Sequence, residues 1–326
     1  MRICLIGAGR IGAVHAIAIA SEEGATLHSV VDLNREAAEN LAAQYSAEVL
    51  SIDEVFINSE IDAFIIASST ATHADLIERC AQAGKPVFCE KPIDLSLDRA
   101  LSCAQIVKES GLVCMLGFNR RFDPHMASFK NKVDANVIGS IQSLIIISHD
   151  PEPPSMDYIA GSGGLFHDMM IHDFDMACWI LNDTPSSIYV VAKAVNDDIA
   201  KQGDVDTASV ILNMKGGAIV TIINGRQASF GYDQRIEAFG EKGMLQVQNA
   251  LEDNVVVSNA NGIHQAKAKY FFLERYENAY NNELVHFIKS VQTGVEPSVD
   301  ISDGVLALRI AEAAQKSLKT GNPVNL

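Results

Sequence analysis

Two stretches of the sequence hold acid, base and cationic groups that could move a proton. Asp168, His172 and Asp175 stand at positions i, i+4 and i+7 within one stretch of helical pattern. Residues at such spacings lie on one face of a helix, so we predict that the three side chains form one wall of a site. Histidine titrates near neutral pH and often acts as a general base. His172 is therefore the candidate base, and Asp168 is predicted to orient the imidazole or a substrate.

The second stretch is the turn Glu90-Lys91-Pro92, which directly follows the apolar run Pro86 to Cys89. If that run is a strand of a parallel sheet, Lys91 projects from the carboxyl edge, where open α/β folds bind ligands. Its ammonium group would stabilise negative charge that develops on an oxygen. Lys91, Asp168 and His172 together suit the oxidation of an alcohol, in which a base takes the hydroxyl proton as hydride leaves.

His172, Asp168 and Asp175 could also have purely structural roles without taking part in catalysis. A histidine on a partly apolar helix face is commonly a buried core residue, and Asp168 and Asp175 would then be acids on the helix surface. A metal site built from His167, Asp168 and His172 is disfavoured, because His167 is offset by about 100° from Asp168 around a helix and no third imidazole has suitable spacing. We predict no metal.

The segment Gly7-Ala8-Gly9-Arg10-Ile11-Gly12 predicts a dinucleotide site, because it follows an apolar strand and opens a helical pattern. There the first glycine permits a tight turn, the second lets the backbone approach a pyrophosphate, and the third allows the helix to pack closely on the strand. Unpaired N–H groups at the helix start would bind the anion. The cofactor candidates in this segment are Gly7, Gly9, Arg10, Ile11 and Gly12.

Asp32 closes the next apolar run and stands about 20 residues after Gly12, where an acid binds the ribose hydroxyls of a dinucleotide. A carboxylate there would repel a 2′-phosphate, so we predict NAD rather than NADP. Arg35 lies near enough to weaken this preference. Alternatively, Asp32 is an ordinary acid at a helix N-terminus.

Further cofactor candidates lie at two other strand ends. The segment Ser68 to His73 follows the apolar run Ala63 to Ala67. The alternative for this segment is that Thr70 or Thr72 caps the next helix. The candidates at these ends are Ser68, Thr70, His73, Glu90 and Lys91.

The elements that position these groups follow from the hydrophobic pattern. Through about residue 120, short apolar runs alternate with stretches of helical period, which predicts a doubly wound parallel sheet. The expected strands are Arg2 to Ile6, Thr26 to Val31, Ala63 to Ala67, Pro86 to Cys89 and Val113 to Leu116. The expected helices are Ile11 to Ser21, Arg35 to Tyr45, His73 to Ala83 and Leu97 to Ser110.

After Asn119 longer β-rich stretches predict a large, mainly antiparallel open sheet in a second α/β domain. Turn signals at Met214-Lys215-Gly216-Gly217 and Gly240-Glu241-Lys242-Gly243 predict hairpins. Two helical stretches follow, at Arg275 to Thr293 and Gly304 to Lys319. We therefore predict an NAD-binding Rossmann domain over 1–120 and a substrate-binding and oligomerisation domain over 121–326.

Composition excludes several partners. Acidic residues outnumber basic ones by 41 to 25, and the resulting net charge of -16 would repel nucleic acid. No apolar run approaches the roughly 20 residues that span a bilayer, so we expect no membrane partner. The six cysteines are dispersed without a Cys-x-x-Cys pair, and the chain starts directly in a strand without a signal peptide. A cytoplasmic location is expected.

Several motifs resemble those of the Gfo/Idh/MocA family of oxidoreductases, and the resemblance covers almost the whole chain. It rests on GAGRIG at the amino terminus, on Glu90-Lys91-Pro92, on Gly117 to Pro124, on Ser162 to Ala177 and on Gly231 to Arg235. The resemblance implies a Rossmann domain, a second domain with a large open sheet, and a homotetramer built by sheet packing. It also implies that Lys91, Asp168 and His172 are the catalytic set and that Pro92 follows a cis peptide bond.

Within the family the motifs are most similar to those of members that oxidise myo-inositol to 2-keto-myo-inositol with NAD. The alternatives are another inositol isomer or a sugar as substrate, a non-catalytic NAD-binding sensor, and a metal-dependent hydrolase or lyase. Three positions, His149, His167 and Cys178, depart from the arginines expected in the inositol-oxidising members. The resemblance further implies substrate contacts by Arg121, Asp150, Asp175 and Tyr232, although Arg121 and Tyr232 could instead pack between domains.

Overall fold

The chain packs as two units, which we describe separately. The computed structural model describes residues 1–326. One unit comprises Met1–Phe122 with Asn278–Leu308, and the other comprises Asp123–Glu277 with Arg309–Leu326. The predicted division was a single cut at residue 120, whereas the segment Asn278–Leu308 packs with the first unit.

The first unit is built on a six-stranded sheet in which every pair of neighbouring strands is parallel. The strand order is β3-β2-β1-β4-β5-β6, so the order reverses between β1 and β4. Such a reversal is where doubly wound sheets bind ligands, at the carboxyl ends of the strands. The strands are β1 (Arg2–Ile6), β2 (Thr26–Val31), β3 (Glu48–Val49), β4 (Ala63–Ile66), β5 (Val87–Glu90) and β6 (Cys114–Gly117).

Helices cover this sheet, and their ends follow local sequence signals. The side chains of Asn34, Ser51 and Ser96 cap helix N-termini, and Gly84 and Gly111 end helices in the left-handed conformation. The core joins the sheet to the amino-terminal helices and to a helix near the C-terminus through Leu284 and Phe287, among other residues. The helices are α1 (Arg10–Ser21), α2 (Arg35–Tyr45), α3 (Ile52–Ile57), α4 (His73–Ala83), α5 (Leu97–Ser110), α12 (Glu277–Thr293) and α13 (Ile301–Thr320).

The second unit is built on a seven-stranded sheet with the order β12-β11-β7-β10-β9-β8-β15. Only the pair β7 and β10 is parallel, so the predicted mainly antiparallel sheet is confirmed. Both predicted hairpins are also present, between β9 and β10 and between β11 and β12. The strands are β7 (Ile141–His149), β8 (Pro185–Lys193), β9 (Thr207–Met214), β10 (Ile219–Gly225), β11 (Asp233–Gly240), β12 (Gly243–Val247) and β15 (Val324–Asn325).

The strands of this sheet alternate between buried and exposed residues, as β9 shows along its whole length. One face is buried, and the other, which we call the open face, carries exposed apolar side chains. A separate hairpin, β13 (Val256–Asn259) with β14 (Gly262–Gln265), is exposed throughout. The helices associated with the unit are α6 (Pro124–Asp134), α7 (Met156–Ser162), α8 (Leu165–Asp168), α9 (Ile171–Leu181), α10 (Asp197–Lys201), α11 (Phe272–Arg275) and the second half of α13.

All six cysteines are free and buried. None of the helices has the length and apolar character needed to cross a membrane.

Candidate active site

The glycine turn between β1 and α1 is set by close backbone approaches. A Cβ atom on Gly7 would lie 2.5 Å from the carbonyl of Ala67, and Gly7 has a φ of +110°, which disfavours other residues. A Cβ on Gly12 would lie 2.0 Å from the Gly7 carbonyl oxygen. Gly9 differs, because a Cβ there would meet nothing within 4 Å. Packing therefore requires glycine at positions 7 and 12, while Gly9 leaves open space beside the backbone.

The start of α1 fits the pyrophosphate of a dinucleotide. No side chain caps this helix, and its first turn holds no acidic residue. The first N–H groups of a helix lack partners within the helix and attract anions. Arg10 and Ile11 occupy the first two helical positions. The turn thus presents donors and open space at the same point.

Asp32 is bound to the glycine turn itself. Its Oδ2 accepts a hydrogen bond of 2.7 Å from the N–H of Ala8, and its Oδ1 accepts one of 2.7 Å from the N–H of Asn34. These bonds fix the carboxylate at the end of β2, beside the turn. Arg35 is exposed and pairs with Glu39 one helical turn later at 2.8 Å. The site around Asp32 therefore suits unphosphorylated ribose hydroxyls.

His73 binds main-chain carbonyls rather than facing solvent. Its side chain is 1% exposed, with Nδ1 at 2.7 Å from the Pro92 oxygen and Nε2 at 3.1 Å from the Ser68 oxygen. Burial lowers the pKa of His73. His73 thus holds together the ends of β4 and β5, which carry the predicted Ser68, Thr70 and Glu90-Lys91-Pro92 segments.

The alternative of threonine caps after β4 is not observed, because neither the short 3₁₀ turn Thr70–Thr72 nor α4 has a side-chain cap. The Thr72 hydroxyl instead lies 2.7 Å from that of Ser68. The turn after β5 has the expected form. Lys91 is half-buried directly after the strand end, and the Lys91–Pro92 peptide bond is cis, as the family resemblance implies.

The prediction that Asp168, His172 and Asp175 share one continuous helix is wrong. Asp168 ends the short helix α8, and α9 begins at Ile171, so Met169 and Met170 separate the two helices. Main-chain bonds span this break, including one from the His172 N–H to the Met169 oxygen at 3.3 Å. His172 is half-buried in the first turn of α9, and Asp175 is 3% exposed.

Asp168 has partners that the sequence did not indicate. The Tyr158 hydroxyl donates to its Oδ1 at 2.8 Å, and both terminal nitrogens of Arg226 lie 3.4 Å from its Oδ2. Arg226 is 2% exposed and also lies 3.9 Å from Asp204. The side chain of Tyr158 is half exposed, but desolvation of its hydroxyl and the charge of Asp168 beside it raise the pKa of Tyr158 above its usual range. Tyr158 therefore stays protonated and donates to a carboxylate that Arg226 also orients.

The neighbour of His172 anchors α9 to the sheet. Asp173 is fully buried and accepts a 2.6 Å bond from Ser148 of β7 and a 2.9 Å bond from Asn224 of β10. Ser148 and Asn224 face each other in the parallel pairing of these strands. A buried carboxylate with such partners fixes its helix, because leaving either partner unsatisfied is costly. Through Asp173, two strands determine where the backbone of His172 lies.

The candidate substrate residues have different surroundings. Arg121 binds Asp303 at 2.9 Å and the Ser298 oxygen at 2.9 Å within the first unit, so part of its guanidinium serves packing. Asp150 follows β7 and is half-buried, and the buried Tyr232 ring stands edge-on to Tyr276 at 5.9 Å. Their contact with a substrate stays a prediction.

The three positions where the family resemblance leads us to expect arginine are partly or fully buried. His149 Nδ1 lies 3.0 Å from the buried carboxylate of Asp233, where the positive Arg235 also binds at 2.7 Å. These bonds hold the pKa of Asp233 below its usual range despite burial. His167 is buried, which lowers its pKa, and Cys178 is buried as well.

Comparisons with known proteins cover both units. A family model described as an oxidoreductase family with an NAD-binding Rossmann fold matches residues 1–118, and a model of the GFO/IDH/MocA C-terminal domain matches residues 126–246. The chain is 42% identical to the inositol 2-dehydrogenase of Rhizobium meliloti (strain 1021), over 100% of this chain and 99% of that protein.

Two solved structures have the same fold over the whole chain. A myo-inositol dehydrogenase from Corynebacterium glutamicum matches with a TM-score of 0.96 at 43% identity, covering 100% of this chain and 98% of that one. The scyllo-inositol dehydrogenase from Lactobacillus casei, with bound NAD(H) and scyllo-inositol, matches with a TM-score of 0.92 at 28% identity and the same coverage.

Replacing Asp32 tests the cofactor assignment. We expect Asp32→Ala to raise the KM for NAD about tenfold or more and to reduce the preference for NAD over NADP, because the variant loses both the ribose acceptor and the charge that repels a 2′-phosphate. Steady-state kinetics with each cofactor measure this. Asp53→Ala, at an exposed acid on α3, is the control. An unchanged NAD to NADP ratio in Asp32→Ala would refute the assignment.

Proposed function

Because the chain belongs to the GFO/IDH/MocA family of NAD-binding oxidoreductases, we propose that it oxidises a secondary hydroxyl of myo-inositol to give 2-keto-myo-inositol. The observation that carries the proposal is the 42% identity to an inositol 2-dehydrogenase across the full length of both chains. The likeness is therefore not confined to the dinucleotide-binding unit. It extends through the second unit, which holds Asp168 and His172.

NAD, when bound, supplies the acceptor for the hydride that leaves the hydroxyl-bearing carbon. The residues that would hold it are the glycine turn, the start of α1 and Asp32, where donors, open space and a fixed carboxylate are found together. The further cofactor contacts that we propose are Arg10, Ile11, Ser68, Thr70, His73, Glu90 and Lys91.

We assign the role of general base to His172, which takes the proton of the substrate hydroxyl as the hydroxyl-bearing carbon becomes a ketone. Lys91 stabilises the negative charge that develops on that oxygen, and Asp168 orients the substrate or the imidazole. The contacts of Asp168 support its part, because Tyr158 and Arg226 fix its carboxylate in one orientation. The substrate contacts that we propose in addition are Arg121, Asp150, Asp175 and Tyr232.

A second candidate is oxidation of another inositol isomer or of a sugar. Its support is the match to a structure that contains scyllo-inositol, together with the exchange of three expected arginines for His149, His167 and Cys178. These exchanges leave Lys91, Asp168 and His172 in place. The same hydride chemistry would then act on a different arrangement of hydroxyls.

We also propose that the protein assembles as a homotetramer through the open face. Apolar side chains on four strands of this face leave much of their surface exposed, including Tyr189 (38%), Ile211 (42%), Ile219 (49%) and Phe239 (51%). Tyr189 and Ile211 stand opposite each other in the pairing of β8 and β9. Exposed apolar patches of this kind mark interaction sites. A second copy of the same face is a matching partner, because a two-fold interface joins identical surfaces. Six reduced, buried cysteines support a cytoplasmic location.

The proposed reaction predicts growth of the reduced-nicotinamide absorbance when the purified protein is mixed with NAD and myo-inositol at mildly alkaline pH. A panel of scyllo-inositol, D-chiro-inositol, sorbitol and glucose, each with NAD and NADP, separates the two candidates. A rate that is highest with another polyol would transfer the proposal to that substrate. No reduction with any of them would favour a sensor.

Loss of the proposed base should stop turnover without removing the cofactor. We expect His172→Ala to lower kcat by about 10²- to 10⁴-fold, the usual contribution of a general base, while the Kd for NAD stays within about threefold. Displacement of fluorescent, bound NADH by added NAD measures this binding. His264→Ala, at an exposed histidine of β14, is the matched control. Near-normal turnover in His172→Ala would remove this residue from its role.

A charge on the open face should break the assembly. We expect wild type to have a mass near four times 35.2 kDa in light scattering and Ile211→Lys to have a smaller one, because an interface would bury the new charge. Ile57→Lys places the same change at a residue of the first unit that is 86% exposed and should leave the mass unchanged. A wild-type monomer would contradict the proposal.

A further inference from the structure

Three ionisable side chains meet in the core of the first unit, and of these only Glu90 is among the residues proposed above as cofactor contacts. They are His15 of α1 (1% exposed), Glu90 at the end of β5 and Glu283 of α12 (0% exposed). Their nitrogen and oxygen atoms all lie within 4.8 Å of one another. His15 Nε2 and Glu90 Oε1 are 2.7 Å apart, so these two groups are hydrogen-bonded directly.

The walls of this cluster are apolar or lack side chains. The His15 ring packs edge-on against Phe88 at 5.0 Å and Tyr280 at 5.9 Å. Gly117 of β6, paired with Glu90 in the sheet, leaves room for the carboxylate, because a Cβ there would lie 2.9 Å from Glu90 Oε2. The carboxylate of Glu90 is therefore held between a glycine on one strand and a histidine on α1.

The carboxylate of Glu283, unlike that of Glu90, has no hydrogen bond within the cluster. Both of its carboxylate oxygens are buried and have no hydrogen-bond partner in the protein. The titratable groups that lie close to it are His15 from α1 and Glu90 from β5, while Tyr280 of its own helix packs against the ring of His15. An ionised carboxylate in this position would be desolvated, unpaired and close to a second carboxylate, and each of these conditions disfavours the charge.

We propose that Glu283 is held as a neutral carboxylic acid. Because Glu283 is neutral, Glu90 is the only carboxylate anion of the cluster that His15 can bind. The bond between His15 and Glu90 then positions the Glu90-Lys91 turn. In this arrangement Glu283 is a positioning residue that acts through Glu90 on Lys91. Burial and the charge of Glu90 raise the pKa of Glu283 well above its usual range, in agreement with the geometry.

A metal ion is the other occupant that such a group of side chains suggests. The geometry favours a proton, because a nitrogen and an oxygen bound to one tetrahedral zinc ion lie about 3.3 Å apart, given bonds of about 2.0 to 2.2 Å. His15 and Glu90 are closer than this, at hydrogen-bond distance. Metal analysis of the purified protein distinguishes the two. Stoichiometric metal in wild type that is lost in E283Q would overturn the proposal.

The first test follows stability with pH and needs no enzyme activity. Below about pH 4.3, the usual pKa of a glutamate, the folded and unfolded chains both hold this proton. Above that pH the unfolded chain releases it while the folded chain keeps it, so rising pH favours unfolding. The ratio of the wild-type unfolding constant to that of E283Q should therefore rise about tenfold per pH unit between pH 5.5 and 7.5, because glutamine has no proton to release.

Urea unfolding or thermal midpoints of the two proteins at matched pH values give this ratio. A ratio that stays constant over the window would show that Glu283 is ionised in the folded chain and would overturn the proposal. E283M, an uncharged side chain of similar length, serves if E283Q does not fold. Failure of both variants to fold would also count against a neutral acid.

The second test addresses positioning, and it rests on the proposed function. Gly117→Ala should press on the Glu90 carboxylate and lower kcat about tenfold or more, and this loss in kcat should exceed any change in the KM for NAD. E283Q should keep kcat within about threefold, because it preserves the neutral shape. Gly24→Ala, where the new methyl would meet only a carboxylate oxygen of Glu22 at 3.4 Å, is the control.

Unchanged kcat in Gly117→Ala would overturn the positioning role. If wild type itself has no activity, the proposed function fails, while the pH dependence of stability still tests the state of Glu283. The two proposals can therefore fail separately.

Discussion

The close backbone approach between β1, β4 and the start of α1 is the constraint on which the first unit depends. Gly7 lies against the carbonyl of Ala67, and Gly12 lies against the carbonyl of Gly7, at distances that exclude any side chain. This contact sets the end of β1 beside the end of β4, at the point where the strand order reverses. The uncapped helix start, the open side of Gly9 and the carboxylate of Asp32 then lie around one turn. A dinucleotide fits there because the backbone has already been brought close.

Outside the glycine turn, buried polar groups fix the positions of the candidate site residues. Asp173 fixes α9 to two strands, while Tyr158 and Arg226 orient Asp168. His73 joins two strand ends in the first unit by binding two carbonyl oxygens. The groups to which we assign chemistry are therefore not held by their own helix or turn alone. Each is adjacent in sequence or in space to a buried residue whose partners lie far along the chain.

The sequence predicted the bounds of strands and helices more accurately than it predicted contacts between residues far apart in the chain. The difference has a physical reason. The strands and helices that were predicted through residue 110 have observed bounds within one residue of the expected ones, because apolar period, caps and glycine breakers are local signals. The short helix α3 was not predicted. The short strand β3 and the exposed hairpin β13–β14 carry no apolar alternation and were not predicted. The break at Met169 and Met170 was missed because two apolar residues without glycine or proline read as helix interior. Tyr158, Arg226 and Glu283 were missed because their roles depend on partners distant in sequence.

The central claim is that hydride passes from the hydroxyl-bearing carbon of myo-inositol to NAD. The measurement that tests it most directly uses myo-inositol deuterated at carbon 2, with mass spectrometry of the reduced cofactor after a single turnover. We predict that the reduced nicotinamide carries the deuterium. Reduced cofactor without deuterium, or deuterium lost to water, would contradict it.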